Sequence, residues 1–292
     1  MTGKKIAVIG GDLRNKYLAS LLAEDGNEVN LYGFDQIDQV SPCLSLRTDL
    51  KTTIDLSDVV ICPIPFSNDG ERLNSPLFSE SIYIKDLIEC FMGGKILFGG
   101  AFSDSVKELF DNKGIKYIDF LKKEELAVLN AIPSAEGAIQ VAMEKTPFTL
   151  HDSKVLVVGF GRTGKILSKL LRGLCAKVTV SARKPEDLSW IDALGYNAVY
   201  TSQIKEVAGD FNIIINTVPH LVIDRDVLIK LNKSCLVIDL ASKPGGIDFD
   251  YARRIGVNTV WALSLPGKVA PQTSGLYIKK TLYNCLKEME VL

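Results

Sequence analysis

Short apolar runs alternate with segments of helical periodicity along the whole chain. In the first half, the apolar runs predict strands at 4–9, 28–32, 58–62, 95–98 and 115–118, and the periodic segments predict helices at 14–24, 82–90 and 103–112. In the second half, strands are predicted at 154–158, 177–182, 211–216, 236–239 and 259–263, with helices between them. Continuous apolar strands separated by helices are typical of a parallel sheet that is covered on both faces. The pattern therefore predicts an α/β fold with two doubly wound parallel-sheet domains.

A chain of 292 residues is long for one core, and the repeated pattern divides it into two domains. We expect an N-terminal substrate domain at 1–125, to which a C-terminal helix at 272–292 returns, and a Rossmann dinucleotide-binding domain at 148–271. An interdomain helix is expected at 126–147. It should break near Pro133, because proline is favoured in the first turn of a new helix, and it should stop at Thr146-Pro147.

Charge and composition narrow the classes of partner. Lys and Arg number 34 against 35 Asp and Glu, and this balance argues against nucleic acid or an anionic membrane surface as the main partner. No signal peptide and no stretch of roughly 18 apolar residues is expected. The six cysteines are scattered without a C-x-x-C pair, which is typical of reduced thiols in a cytoplasmic protein. His151 and His220 lack metal-ligand spacing, so no metal site is expected.

The strongest motif is a glycine-rich turn between a predicted strand and a predicted helix. It reads Gly159-Phe160-Gly161-Arg162-Thr163-Gly164. In that position Gly159 makes the tight turn, Gly161 lets the backbone approach a pyrophosphate, and Gly164 lets the helix pack closely on the strand. The start of the helix supplies N–H groups for the anion. A tight turn without a ligand is the alternative.

The end of the next strand predicts which dinucleotide binds. An acidic residue there would hold the ribose of NAD, but the sequence has Ser181, Arg183 and Lys184. A guanidinium, an ammonium and a hydroxyl suit a 2′-phosphate. We therefore predict NADP as the cofactor, against the alternative of solvated charges at a strand end.

Further turns follow other predicted strands. Ligands bind outside the carboxyl ends of parallel strands, so Thr217-Val218-Pro219 and Ala241-Ser242-Lys243 should border the nicotinamide. In the first domain, the turns at 10–14 and at 33–35, 63–67 and 99–100 are expected to form one wall of an interdomain cleft for the substrate. Any one of these segments alone is also compatible with an ordinary turn.

Several segments together resemble one family, the A subunit of dipicolinate synthase from endospore-forming bacteria. They are the opening 6–12, Gly33-Phe34-Asp35, Asn130 to Gly137, the glycine motif, and the segments 239–246 and 265–271. The resemblance covers essentially the whole chain, and Pro133 to Gly137 and the last two segments are more specific than the glycine motif.

The resemblance implies an activity and a setting. The chain would act with a second, flavoprotein-like protein, the B subunit of the synthase, to convert dihydrodipicolinate to dipicolinate with NADP. The setting would be the mother-cell cytoplasm of a sporulating bacterium. The resemblance also implies a flavodoxin-like first domain followed by a Rossmann domain, a layout similar to that of 2-hydroxyacid dehydrogenases. A homo-oligomer and the division of chemistry between the two subunits stay open.

The residues fit dihydropyridine oxidation better than hydroxyacid oxidation. Hydroxyacid dehydrogenases use an acid–base histidine, and the segment 265–268 stands where that histidine is expected. A dihydropyridine that becomes aromatic needs mainly positioning and charges that complement a dicarboxylate. The candidate catalytic groups are Arg14, Lys243 and Lys268 for the carboxylates, Ser134 as a hydroxyl donor, and Glu136 as a proton acceptor or a helix cap. The alternatives are an NADP-dependent dehydrogenase of the 2-hydroxyacid type and a non-catalytic NADP-binding partner of the second protein.

Overall fold

The computed structural model describes residues 3–37 and 41–289. The chain divides into two compact units. The first unit is Met1–Leu129 together with Ala270–Leu292, and the second unit is Asn130–Val269. The division falls inside the helix that the sequence analysis placed between the domains.

The first unit alternates strands and helices as far as a long helix that leads into the second unit. In chain order its elements are β1 (Lys5–Ile9), α1 (Leu13–Glu24), β2 (Glu28–Tyr32), β3 (Leu44–Leu46), α2 (Leu50–Asp55), β4 (Val59–Ile61), α3 (Ile84–Glu89), β5 (Ile96–Gly99), α4 (Asp104–Lys113), β6 (Lys116–Asp119) and α5 (Glu124–Lys145).

The first sheet is parallel throughout and has the strand order β3-β2-β1-β4-β5-β6. Without β3 the remaining strands follow the order 2-1-3-4-5, which is that of flavodoxin. The three-residue strand β3, which the sequence analysis missed, pairs outside β2 and extends the sheet to the Rossmann order 3-2-1-4-5-6. The flavodoxin-like description of this domain therefore needs correction by one edge strand.

The second unit repeats the scheme. Its elements are β7 (Lys154–Val158), α6 (Arg162–Gly173), β8 (Lys177–Ala182), α7 (Pro185–Ala193), β9 (Asn197–Tyr200), α8 (Ile204–Val207), β10 (Ile213–Asn216), α9 (Arg225–Leu228), β11 (Leu236–Asp239), α10 (Phe249–Ile255), β12 (Asn258–Trp261) and α11 (Leu265–Val269). The parallel sheet has the order β12-β11-β10-β7-β8-β9, which is again the Rossmann order. The predicted fold class, α/β with two doubly wound parallel sheets, is confirmed.

Each sheet is buried on both faces, as its apolar strands predict. In the second unit one layer packs around Val155 and Val157, and the opposite layer packs around Leu156 and Val158. Alternate residues of a strand point to opposite faces of the sheet, so β7 supplies both layers. The carboxyl end of β7 is therefore held rigidly where the glycine motif begins.

Helix α5 runs without a break through Pro133, so the predicted break is wrong. Proline inside a helix costs about 3 kcal/mol, since it lacks an N–H for the carbonyl four residues earlier. Here Ala135, Ala138 and Ala142 are fully buried in the core of the second unit, and this packing outweighs the cost. The predicted end of the helix at Thr146-Pro147 is confirmed.

Among the described residues, α5 is also the one helix long and apolar enough to cross a membrane. The sequence analysis expected no such stretch. Core helices of soluble proteins pass the same test of length and composition, and the buried alanines of α5 are those of a core helix.

The last helix, α12 (Pro271–Glu288), packs on α1 of the first unit, as predicted. Gly275 allows this contact, because a Cβ atom there would lie 2.9 Å from the carbonyl oxygen of Arg14. Asp25, at the C-terminal end of α1, stabilises the same contact by accepting hydrogen bonds from Lys279 Nζ at 2.9 Å and from the Tyr283 hydroxyl at 2.6 Å.

Candidate functional site

The glycine motif forms a tight turn between β7 and α6. Gly159 has a φ of +100°, in the left-handed region that favours glycine, and its N–H donates to the carbonyl of Ser181 over 3.0 Å. A Cβ atom at this position would lie 2.6 Å from Thr217 Oγ1 and 2.8 Å from Val218 Cγ2. The turn therefore requires glycine for both its backbone and its surroundings.

The other two glycines of the motif have opposite surroundings. A Cβ atom on Gly164 would lie 2.0 Å from the carbonyl oxygen of Gly159, so this glycine brings the first turn of α6 against the strand end. A Cβ atom on Gly161 would have no neighbour within 4 Å among the described residues. Gly161 is the N-cap of α6 and exposed, so its open side is accessible to a ligand. Arg162 and Thr163 continue into the first turn of the helix.

A pocket of about 480 Å³ opens beside this turn in the second unit. Its walls combine the turn, the residues after β8 and the loop after β10. Of the predicted cofactor residues, it is lined by Gly159, Phe160, Gly161, Arg183, Lys184, Thr217, Val218 and Pro219. A glycine turn at a helix start, with cations at the neighbouring strand end, is the arrangement that a dinucleotide requires.

The structure separates Ser181 from the two cations with which the sequence analysis grouped it. Arg183 and Lys184 are exposed at the pocket, whereas Ser181 is 0% exposed. Its hydroxyl is buried and has no hydrogen-bond partner within residues 3–37 and 41–289. The carbonyl of Ser181 accepts the N–H of Gly159, so Ser181 lies beneath the glycine turn. Its side chain is buried because its position in β8 points that side chain into the core.

Two neighbouring strand ends are joined by a buried hydrogen-bond network. Asp239 accepts the side-chain N–H of Asn216 at 2.8 Å, the N–H of Ala241 at 3.0 Å and the N–H of Gly246 at 2.7 Å. A Cβ atom on Gly246 would lie 2.2 Å from Asn216 Nδ2, so the loop closes tightly over Asn216. This network fixes the backbone on both sides of Ser242 and Lys243.

The predicted residues of that loop differ in exposure. Ala241 is buried, and its carbonyl accepts the indole N–H of Trp261 over 2.9 Å. Ser242 and Lys243 are exposed at the tip. Lys268, in α11, is also exposed. Both lysines are thus available to an anionic ligand.

Two predicted groups lie on α5. The Ser134 hydroxyl donates to the carbonyl of Asn130 over 2.7 Å, so its proton is used within the helix. Glu136 is exposed in the helix interior, and the expectation that it caps a helix is wrong because α5 does not restart at Pro133. Gly137, next in the chain, lies against Leu265, where a Cβ atom would approach the leucine side chain within 3.0 Å.

Arg14 in the first unit is already paired. Its guanidinium donates to both carboxylate oxygens of Asp12, at 2.8–3.1 Å, and to the carbonyl of Ile64. The side chain is only 9% exposed, so Arg14 is not a surface arginine. It holds the Gly10–Arg14 turn to the loop after β4.

Five residues that the sequence analysis did not select also line the pocket: Ala182, Asp187, Thr201, His220 and Val222. His220 directly follows the predicted Pro219, so the same signal leads to it. Thr201 follows β9, which was not predicted as a strand. Asp187 lies in the first turn of α7 and brings a carboxylate beside Arg183 and Lys184. A larger pocket of about 920 Å³ lies along α10 and the edge strand β12 and contains no residue of the glycine turn.

Comparisons with known proteins show the family to which the chain is related. Residues 5–121 match the family model of the N-terminal domain of the dipicolinate synthase A subunit. The chain is 34% identical to the dipicolinate synthase A subunit of Bacillus subtilis, over 99% of this chain and 98% of that protein.

Solved structures match over nearly the whole chain. The crystal structure of the dipicolinate synthase A subunit from Bacillus halodurans is 31% identical with a TM-score of 0.89, covering 98% of both chains. A more distant structure, the transhydrogenase of Sinorhizobium meliloti, shares only the fold, at 16% identity and a TM-score of 0.72 over 97% of this chain and 94% of that one. The chain therefore belongs to the family of dipicolinate synthase A subunits.

Proposed function

We propose that this chain is an NADP-linked oxidoreductase subunit that converts dihydrodipicolinate to dipicolinate together with a second subunit. The observation that carries the proposal is the pocket that gathers the glycine turn, the cations Arg183 and Lys184, and the loop at Thr217. We place the reaction in the cytoplasm of the mother cell during sporulation.

The residues present fit a dinucleotide. The open side of Gly161 gives a pyrophosphate access to the start of α6, a twelve-residue helix. Arg183 and Lys184 supply positive charge for the ribose phosphate. Thr217 and Val218 close the inner wall against Gly159, with the Thr217 hydroxyl donating to the carbonyl of Val158 over 2.8 Å.

Oxidation of dihydrodipicolinate removes one hydride and one proton as the ring becomes aromatic. A bound nicotinamide would supply the hydride acceptor, and NADP⁺ would thereby become NADPH. The protein's own contribution is to orient the two rings and to exclude water between them. The proton leaves to solvent or to an exposed carboxylate, for which Glu136 remains our candidate.

The substrate carries two carboxylates, which need positive partners. We propose Lys243 and Lys268 for them, because both are exposed and belong to the unit that holds the pocket. Ser134 remains a weaker candidate because its proton is directed to Asn130. Arg14 also remains a weaker candidate, because it would have to release Asp12 first.

A second candidate function is that of a nucleotide-binding partner that leaves the chemistry to the other subunit. The pairing of Arg14 with Asp12 and of Ser134 with Asn130 favours it, because both groups are engaged within the chain. The glycine turn and the pocket are needed equally in this case.

A spectrophotometric assay separates the two candidates. The absorbance of reduced nicotinamide is followed with dihydrodipicolinate and NADP⁺ in three samples, which contain only this chain, only the second subunit, or the two together. Reduction of NADP⁺ that requires this chain is the expected result. Equal dipicolinate formation by the second subunit without this chain, or without any nicotinamide, would overturn the proposal.

A further inference from the structure

The ends of two neighbouring strands bring Arg183 and Thr201 to the same place. Strands β8 and β9 are parallel, and Ala182 pairs with Tyr200 in the last position of their register. Neighbouring strands lie about 4.8 Å apart. Arg183 and Thr201, the next residue of each strand, therefore leave the sheet side by side.

These two residues form a boundary between two pockets. Arg183, Thr201 and Val222 line the nucleotide pocket of about 480 Å³ and also an adjoining pocket of about 460 Å³. The adjoining pocket adds Lys205, which is exposed and lies four residues after Thr201, in α8. The guanidinium of Arg183 and the hydroxyl of Thr201 thus lie at the rim between the two pockets, and Lys205 adds an ammonium in the adjoining pocket.

Ser181 cannot serve as the hydroxyl of such a group. Its side chain is 0% exposed, and it lines neither of the two pockets. A hydroxyl on the core side of the sheet has no contact with an anion on the solvent side. Thr201 supplies a half-buried hydroxyl at the position where Ser181 was expected to supply one.

The carboxylates nearby restrict where an anion is stable. Asp224 and Asp226 line the adjoining pocket, and Asp224 accepts the N–H of Val227 over 3.1 Å at the start of α9. Asp187 lines the nucleotide pocket. A dianion is repelled from the neighbourhood of these groups, so its favourable position is the shared rim, where Arg183 and Thr201 stand.

We propose that the 2′-phosphate of NADP is held at this rim by Arg183, Thr201 and Lys205, and that Ser181 takes no part in holding it. The inference deepens the proposed NADP cofactor and rests on it. Thr201 and Lys205 are selectivity residues for the dinucleotide, contributed by the segment directly after β9 and by α8 rather than by the strand end that follows the glycine motif.

Calorimetric titration of the full chain with NADP⁺ and with NAD⁺ tests this assignment. We expect Lys205→Ala and Arg183→Ala each to weaken NADP⁺ binding by roughly tenfold, and Thr201→Val by a few-fold, because each removes a charged or polar contact to a phosphate. NAD⁺ binding should change less than about twofold. Ser181→Ala should leave both affinities unchanged, as should the matched control Lys233→Ala, an exposed lysine outside both pockets.

The outcomes distinguish this inference from the cofactor proposal. Equal affinity of the unmodified chain for NADP⁺ and NAD⁺ overturns both. A preference for NADP⁺ that is lost in Arg183→Ala but fully kept in Lys205→Ala and Thr201→Val overturns the inference and leaves the cofactor proposal standing. A selective loss of NADP⁺ in Ser181→Ala overturns the exclusion of Ser181.

Discussion

Asn216 and Asp239 share a buried hydrogen bond of 2.8 Å at the paired ends of β10 and β11. Both residues are 0% exposed, and Asp239 also accepts two backbone N–H groups of the loop that carries Lys243. The pair therefore joins the loop at the nucleotide pocket to the loop that we propose for the substrate. Its removal should affect both the stability and the shape of this edge.

We expect Asp239→Asn to lower the free energy of unfolding by about 1–3 kcal/mol, because an amide N–H₂ cannot accept the hydrogen bonds that one carboxylate oxygen now receives. Urea denaturation measures the change. Asp192→Asn, at an exposed position near the end of α7, is the matched control and should change stability by less than about 0.5 kcal/mol. Equal effects of the two substitutions would show that the buried network contributes nothing.

Three glycine-to-alanine substitutions, in the glycine turn and in α6, distinguish the effect of packing on stability from the effect of ligand access on nucleotide binding. Gly164→Ala should destabilise the fold and abolish nucleotide binding, since its Cβ would lie 2.0 Å from the Gly159 oxygen. Gly161→Ala should fold normally but bind the nucleotide at least about tenfold more weakly, because only a ligand meets the added methyl. Gly173→Ala, in the same helix and with open space around it, should be neutral or stabilising by up to about 1 kcal/mol.

Thermal unfolding measures the stability of these three variants, and nucleotide titration measures their affinity for the nucleotide. A Gly161→Ala variant that binds the nucleotide normally would count against the pyrophosphate at this turn, whatever the stability of the other two.

Substitution of the proposed carboxylate partners should act on the substrate and not on the cofactor. We expect Lys243→Ala and Lys268→Ala each to raise the KM for dihydrodipicolinate by roughly tenfold, the effect of losing one charge-assisted contact. Steady-state kinetics in the presence of the second subunit, together with NADP⁺ titration, measure the two effects. Normal KM values in both variants would remove the lysines from the site.

Arg14→Ala should mainly destabilise the first unit. The substitution leaves Asp12 without its cation and the Ile64 carbonyl without its donor, and a loss of about 2 kcal/mol or more follows for a pair this buried. Arg72→Ala, which removes an exposed ion pair with Asp69, is the control and should destabilise the fold much less, because exposed ion pairs contribute little to stability. A raised KM with unchanged stability would instead favour the substrate role of Arg14.

The contact between α1 and α12 should depend on pH through Asp25. Burial raises the pKa of Asp25, but hydrogen bonds from Tyr283 and Lys279 and the charge of Lys279 outweigh it and hold the pKa below the usual 3.8. A depressed carboxyl pKa stabilises the fold above the unfolded value and loses this contribution as the pH falls through the folded value. The stability difference between the unmodified chain and Asp25→Asn should therefore be full at neutral pH and shrink below pH 3.8.

Urea unfolding at a series of pH values measures this difference. A constant difference at all pH values would contradict the linkage.

The apolar strands and the glycine motif were predictable because their causes are local. Strands β2, β7, β8 and β11 have the predicted bounds, since each has a continuous apolar run or apolar residues at alternate positions. β9 and β3 were missed for the opposite reason. Both are short edge strands with partly exposed residues, and their pairing depends on a neighbouring strand rather than on their own sequence.

The same limit explains what was missed at the site. Ser181 and Arg183 are close in sequence, yet the strand directs Ser181 into the core and ends before Arg183, which lies at the surface. Thr201 reaches the pocket only because β9 pairs with β8, so no spacing from the glycine motif leads to it. Pro133 was misjudged because the buried alanines of α5 belong to a core that a local proline rule does not consider.

The placement of α12 affects the order in which the two units can fold. Ile278, Leu282 and Leu286 complete the core of the first unit, although they are synthesised after the whole second unit. The second unit, Asn130–Val269, is a continuous stretch and has all of its residues available earlier. During synthesis the core of the first unit therefore stays incomplete until α12, which follows the whole second unit in the chain, has been added.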